Sequence, residues 1–123
     1  MELQRLPQAF SVCKLASLQQ GIYEQGLFFL GKTDEEISLV CETQYKPSNC
    51  TAEKDGWRGF RIKGELDFSL IGILSKISTI LAEAKVGIFA VSTYNTDYIL
   101  VKEEQFQAAC EQLEKQGMKL TKL

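Results

Sequence analysis

Four cysteines, Cys13, Cys41, Cys50 and Cys110, are the strongest nucleophiles and metal ligands in this chain, and there is no histidine to join them. No two are spaced as Cys-X-X-Cys, and without histidine a mixed Cys/His zinc site is excluded. Cys13 in Ser11-Val12-Cys13 and Cys41 in Leu39-Val40-Cys41 sit among apolar neighbours, the setting of buried structural thiols. Without histidine the commonest general acid or base near neutral pH is missing. An enzyme built on this chain would have to use Cys13, Cys41, Asp67 or Asp97, and none has a neighbouring base that the sequence identifies. The expectation is therefore a non-enzymatic protein with no cofactor and no metal.

The remaining polar groups that could meet a ligand fall in two clusters. Asp67 and Ser69 stand just ahead of a helical pattern, where they read most simply as helix caps. Thr93, Asn95, Thr96 and Asp97 stand in a turn, where asparagine and aspartate are ordinary turn residues.

The elements that must position these clusters are short. Phe10 to Leu15 alternates apolar and polar residues and reads as a strand. Residues 16–26 read as a loop. Leu27-Phe28-Phe29-Leu30 starts a second strand, Thr33-Asp34-Glu35 a turn, and Ile37 to Cys41 a third strand, which makes a hairpin. Residues 43–56, with Pro47, Asn49, Asp55 and Gly56, read as a polar connector. Trp57 to Lys63 alternates again as a strand. From Ser69 to Ala84 the residues Leu70, Leu74, Ile77, Leu81 and Ala84 form the stripe of a core-facing helix. Val86 to Ser92 is almost wholly apolar or small, as a central strand would be. Thr93 to Asp97 is a turn and Tyr98 to Val101 a partner strand. Glu103 to Gln116 is a helix stopped by Gly117, and Met118 to Leu120 or beyond is a last strand.

The order of the second half is β-α-β-β-α-β, the split ferredoxin-like arrangement of an antiparallel sheet with two helices on one face. The fold class is therefore α+β. The first half repeats part of the second: Phe29 to Thr33 followed by Ile37 to Val40 resembles Phe89 to Thr93 followed by Tyr98 to Val101, with a one-residue gap. Residues 1–56 then form a degenerate half, mostly strands, and residues 57–123 a complete domain.

Composition bounds the partners. The chain has 123 residues, 45% hydrophobic and 24% charged, with a net charge of −2 and a pI of about 5.2. That is the balance of an ordinary globular protein of one domain or two very small halves. Lysine and arginine are scattered, and the basic face that nucleic acid requires is missing. No stretch reaches the roughly 18–20 apolar residues of a membrane span. The segment Met1-Glu2-Leu3-Gln4-Arg5-Leu6-Pro7 lacks the apolar centre of a signal peptide. The expectation is a cytoplasmic protein with reduced cysteines, no nucleic-acid partner and no membrane partner.

Two runs carry a family resemblance: Trp57-Arg58-Gly59-Phe60 through Gly64-Glu65-Leu66-Asp67-Phe68-Ser69-Leu70-Ile71-Gly72-Ile73-Leu74, and Ile88-Phe89-Ala90-Val91-Ser92-Thr93-Tyr94-Asn95-Thr96-Asp97-Tyr98-Ile99-Leu100-Val101. They resemble the short bacterial tandem-ACT proteins related to the CASTOR-type amino-acid sensors, closely over residues 57–116 and more loosely from Phe28 to Cys41. The resemblance implies two ACT-like units per chain and a small ligand, usually a free amino acid, bound where ACT units meet. It implies a homodimer held by a sheet edge or a helix face, and regulation of a separate protein. The ligand-binding positions it implies are Asp67, Phe68, Ser69, Leu70, Ile71, Gly72 and Ile73 at the start of the helix. At the tip of the hairpin they are Thr93, Tyr94, Asn95, Thr96 and Asp97. Leu70 stands where arginine sensors carry an acidic residue and cannot pair with a guanidinium, which weighs against arginine and leaves a smaller or more apolar amino acid open.

Under that resemblance the chemistry is direct. Amides near Leu70 to Ile73, at a helix N-terminus, would hold the ligand carboxylate. Asp97, with Asp67, would pair with its ammonium, and Thr93, Asn95 and Thr96 would orient it. The alternative is an interaction module that keeps the ACT scaffold and has lost its ligand.

Overall fold

A computed structural model describes residues 2–21, 24–63 and 72–123. They sort into two compact units, one of residues 1–7 with 58–123 and the other of residues 8–57.

The first unit contains β1 (Glu2–Arg5), the C-terminal part of β5 (Cys50–Ile62), α1 (Ile73–Glu83), β6 (Ile88–Ser92), β7 (Asp97–Lys102), α2 (Glu103–Lys115) and β8 (Lys119–Lys122). From β5 to β8 the order is β-α-β-β-α-β, as the hydrophobic periods require, and the unit is a ferredoxin-like α+β domain. The strands neighbour one another in the order β6, β7, β5, β1, β8. β1 runs antiparallel to β5, with Leu3 opposite Ile62 and Arg5 opposite Phe60. It runs parallel to β8, with Leu3 opposite Leu120 and Arg5 opposite Lys122. The terminal segment that carried no strand signal thus stands between the first and last strands of the motif. Its four residues are too few for alternation to show, and only Leu3 among them is buried.

Leu3, Phe60, Ile62, Ile99 and Val101 of the sheet pack against Ile77 and Leu81 of α1 and Ala109, Cys110 and Leu113 of α2. Both helices therefore present their apolar stripes to one core. α1 starts later than the Leu70-containing stripe suggests: its N-cap is Gly72, at φ +91°, with no side-chain cap. Asp67 and Ser69, the caps expected from the sequence, lie outside the described residues. A glycine tolerates this left-handed backbone without the strain that a Cβ would bring. β6 is a second correction. Among the described residues it pairs with β7 alone, so this apolar strand lies at an edge and is not central.

The second unit contains β2 (Phe10–Leu15), β3 (Phe28–Lys32), β4 (Ile37–Glu42), a 3-10 turn at Thr43–Tyr45 and the N-terminal part of β5. Its strands neighbour in the order β3, β4, β2, β5, all antiparallel. The second half of residues 43–56, from Cys50 on, is thus strand and not connector. Thr51 to Asp55 are all exposed, so both faces of that stretch are polar and no alternation marks it. Cys13, Leu15, Leu39 and Cys41 form one buried cluster of this unit, flanked by Phe28, Ile37 and Cys50, and Phe10 and Val40 are buried as well.

The two hairpins share one register. Phe28 pairs with Cys41 and Lys32 with Ile37, while Ile88 pairs with Val101 and Ser92 with Asp97. Every position corresponds at an offset of 60 residues, from Phe28 and Ile88 through to Cys41 and Val101. The one-residue gap of the sequence alignment is not needed; it arose from matching Ile37 to Tyr98 by hydrophobicity, whereas its counterpart is Asp97.

Candidate functional site

Within the first unit, the end of β5 and the tip of the β6–β7 hairpin meet at one end of the sheet. A buried hydrogen bond fixes the tip: the Thr96 hydroxyl donates to the Ile62 carbonyl at 2.8 Å. The turn itself closes through Thr93. Its amide donates to the Thr96 carbonyl at 2.8 Å, its hydroxyl donates to the same carbonyl at 2.9 Å, and its oxygen accepts from the Thr96 amide at 3.3 Å. Two threonines thus hold the loop in one shape without help from a ligand.

These bonds divide the hairpin residues by role. Thr96 is 6% exposed, and its hydroxyl is spent on Ile62, so its place is structural. Thr93 and Asn95 are exposed, and Tyr94 lies wholly in solvent. Asp97 is 7% exposed. It falls on the same side of β7 as Ile99 and Val101, the side that packs on the helices. A carboxylate placed there is costly unless a donor reaches it.

On the helix side, Ile73 packs against the core and Gly72 is exposed. The bond from the Lys76 amide to the Gly72 carbonyl, at 2.8 Å, starts the helical ladder. The amides of residues 73–75 come before that ladder, and the first turn has no acidic side chain. Asp67, Phe68, Ser69, Leu70 and Ile71 lie outside the described residues. The structure therefore locates Thr96 and Asp97 inside the fold, Ile73 half-buried against the core, and Gly72, Thr93, Tyr94 and Asn95 on the surface. Asp97 lies on the helix-facing side of the sheet, at the end where β5 leads towards α1. The anchoring role of Ile62 has no sequence signal, because a backbone carbonyl carries no residue identity.

The cysteines behave as structural thiols. Burial pushes the thiols of Cys13, Cys41 and Cys110 up from their ordinary value, which disfavours the reactive thiolate. All four are free, and among the described residues no group of three or more histidine, cysteine or acidic side chains could hold a metal ion. No helix among them is long and apolar enough to cross a membrane. The second unit holds its polar interior differently. The Ser11 hydroxyl, fully buried, donates to Asp55 Oδ1 at 2.6 Å and contacts Thr43 Oγ1 at 2.8 Å. Lys46 Nζ reaches Asp55 at 3.0 Å and Glu53 at 3.2 Å.

Residues 52–115, more than half of the chain, match the profile of the ACT domain. The structure is similar to the crystal structure of a protein from Agobacterium tumefaciens, with a TM-score of 0.89 and 25% identity over 99% of this chain and 92% of that one. It is also similar to a Vibrio cholerae protein of unknown function, a possible transport protein, with a TM-score of 0.71 and 18% identity over 93% and 88% of the two chains. A third similar structure is the aspartate kinase of Clostridium acetobutylicum, an allosteric enzyme. There the TM-score is 0.65 and the identity 14%, over 92% of this chain and 33% of the kinase. The last two likenesses are of fold alone.

Proposed function

The chain belongs to the ACT-domain family, whose modules are regulatory, and on that premise we propose that it is a non-catalytic sensor of a free amino acid, of the tandem-ACT type. The observation that carries this reading is Asp97, a carboxylate only 7% exposed on the helix-facing side of the sheet. It sits next to a tip whose Asn95 is exposed. An α-amino acid needs an anion for its ammonium and N–H donors for its carboxylate. Asp97 provides the first, and the amides that precede the ladder of α1, with Gly72 offering no side chain in the way, provide the second. Asp67, Ser69 and Leu70 would complete the wall and set the preference for a small or apolar side chain.

A homodimer fits the same picture. Among the described residues β6 pairs with β7 alone and carries half-buried Ile88 and Val91, and an apolar edge of this kind is covered by pairing with another strand. The edge of a second copy is the occupant we propose. Ligand binding would then shift the packing of the two copies, and through it the affinity for a separate regulated protein, by no more than the difference in ligand affinity between the packings.

Isothermal calorimetry with the twenty amino acids tests this. Heat with one or a few of them, lost at least about tenfold in Asp97→Asn, is the expected result. Silence with all twenty sinks the reading. Tyr94, wholly exposed, favours the second reading, an interaction module without ligand. In that case Tyr94→Ala weakens a partner complex that Asp97→Asn leaves intact.

A further inference from the structure

At the other end of the first unit three strands finish in the same way. On β1 the buried side runs from Leu3 to Arg5, on β8 from Leu120 to Lys122, and on β5, read backwards, from Ile62 through Phe60 to Arg58. Leu3, Leu120, Ile62 and Phe60 all pack in the core beneath the helices. Since alternate residues share a face, Arg5, Lys122 and Arg58 occupy the next positions on that same face. Each strand thus ends its apolar stripe on a cation. The three cations line a cavity of about 330 Å³ whose other walls are Leu6, Pro7, Phe106 and Leu123.

The two arginines are held in place and incompletely used. Arg58 lies 4.5 Å over the Phe106 ring, which itself stacks on Phe60 at 4.9 Å, and Arg58 Nη2 donates to the Leu6 carbonyl at 3.3 Å. The Nε atoms of both Arg5 and Arg58 are buried without a hydrogen-bond partner. Among the described residues, no carboxylate oxygen comes within 4.0 Å of Arg5, Arg58 or Lys122. Buried donors on charged groups are expensive to leave unmade. Rim arginines that merely lay their stems on the core would keep their heads in water. Here the Nε–H groups are turned out of water instead.

We propose that this cavity is a binding site for a small oxyanion carried on an apolar or aromatic body, accepted by the guanidinium groups of Arg5 and Arg58 and the ammonium of Lys122. Leu6, Pro7 and the Phe106 edge take the apolar part. Three cations with no carboxylate oxygen within 4.0 Å among the described residues favour a dianion, so a phosphate monoester binds more tightly than a carboxylate of the same body. The site is separate from the hairpin end: Arg5 pairs with Phe60 and Leu6 bonds to Gly59, whereas Thr96 bonds to Ile62, at the opposite end of the same stretch of β5.

Phenyl phosphate, benzoate and benzyl alcohol, titrated at fixed ionic strength against the full chain, provide the test. The side-chain Nε–H resonances of Arg5 and Arg58 are the readout. Phenyl phosphate is expected to shift both, benzoate to shift both at higher concentration, and benzyl alcohol neither. Arg58→Gln is expected to weaken phenyl phosphate binding about tenfold and Lys122→Met by several-fold, while Asp97→Asn leaves it unchanged. Lys122 is exposed at a strand end, so Lys122→Met keeps the test available if Arg58→Gln does not fold. Equal binding of the alcohol, no shift at either arginine, or an affinity indifferent to Lys122→Met overturns the proposal. Strong binding of benzoate with none of phenyl phosphate overturns the dianion preference and with it the assigned chemistry.

Discussion

The β3–β4 and β6–β7 hairpins have one register at an offset of 60 residues, and their tips close alike. Thr33 donates its amide to the Glu36 carbonyl at 2.9 Å and accepts from the Glu36 amide at 3.1 Å, as Thr93 does with Thr96. What differs is what surrounds the shared frame. Where the second hairpin has buried Thr96 and Asp97, the first has exposed Glu36 and half-buried Ile37. The second hairpin is backed by two helices, whereas the described residues of the second unit, 8–57, form no α-helix. A repeated backbone is thus compatible with very different side-chain chemistry, and only the second copy carries a buried carboxylate next to its tip.

The largest test of this contrast is in the cores. Ile99 and Leu39 occupy equivalent positions and are 0% and 1% exposed, yet Ile99 belongs to the far larger cluster. Truncating a buried aliphatic side chain costs about 2–5 kcal/mol, more where the surroundings cannot collapse. Ile99→Ala is expected near the upper end and Leu39→Ala near the lower, measured by urea unfolding. Equal losses would break the contrast between a helix-backed core and a thin one.

A smaller effect separates the tips. Thr96→Val leaves the buried Ile62 carbonyl without its donor, at about 1–3 kcal/mol. Glu36→Ala, at the matching exposed position, is expected to stay within about 0.5 kcal/mol. Matching losses would mean that the Thr96 bond is incidental.

The smallest test concerns the polar latch of the thinner unit. The hydrogen bond donated by Ser11, and then that from the Lys46 ammonium, holds the Asp55 carboxyl below its ordinary value of 3.8. A carboxyl depressed in the folded state contributes stability that is complete above the unfolded value and is lost as pH falls through the folded one. The acid limb of stability below about pH 4 is therefore expected to flatten in Asp55→Asn. A Ser11→Ala chain should show the Asp55 resonances titrating closer to 3.8. An unchanged titration would remove Ser11 from the latch.

Much of this was legible beforehand, and the misses have physical reasons. Strong periods marked both helices and most strands, since Ile77 and Leu81 or Ala109 and Leu113 must share a face. β1 escaped because four residues show no period, and the N-terminal part of β5 because its exposed residues 51–55 alternate nothing. The apolar run of β6 suggests a central strand because apolar residues fill such strands, but an edge can also be apolar when something else covers it. At the site, Thr93, Asn95 and Asp97 were visible as polar residues in a turn. The division of labour between Thr96, tied to Ile62, and Asp97, turned to the helix face, depends on pairing that a sequence does not display. The three cations at the far end were scattered along the chain and meet only through the register of β1, β5 and β8.

The central claim is that amino-acid binding belongs to the second hairpin and not to its copy. Amide resonances followed while the calorimetrically active amino acid is titrated test it most directly. Shifts concentrated at Thr93–Asp97 and Gly72–Ser75, with Thr33–Ile37 unmoved, are the expected result. Shifts centred on Thr33–Ile37, or spread evenly over both hairpins, would contradict it.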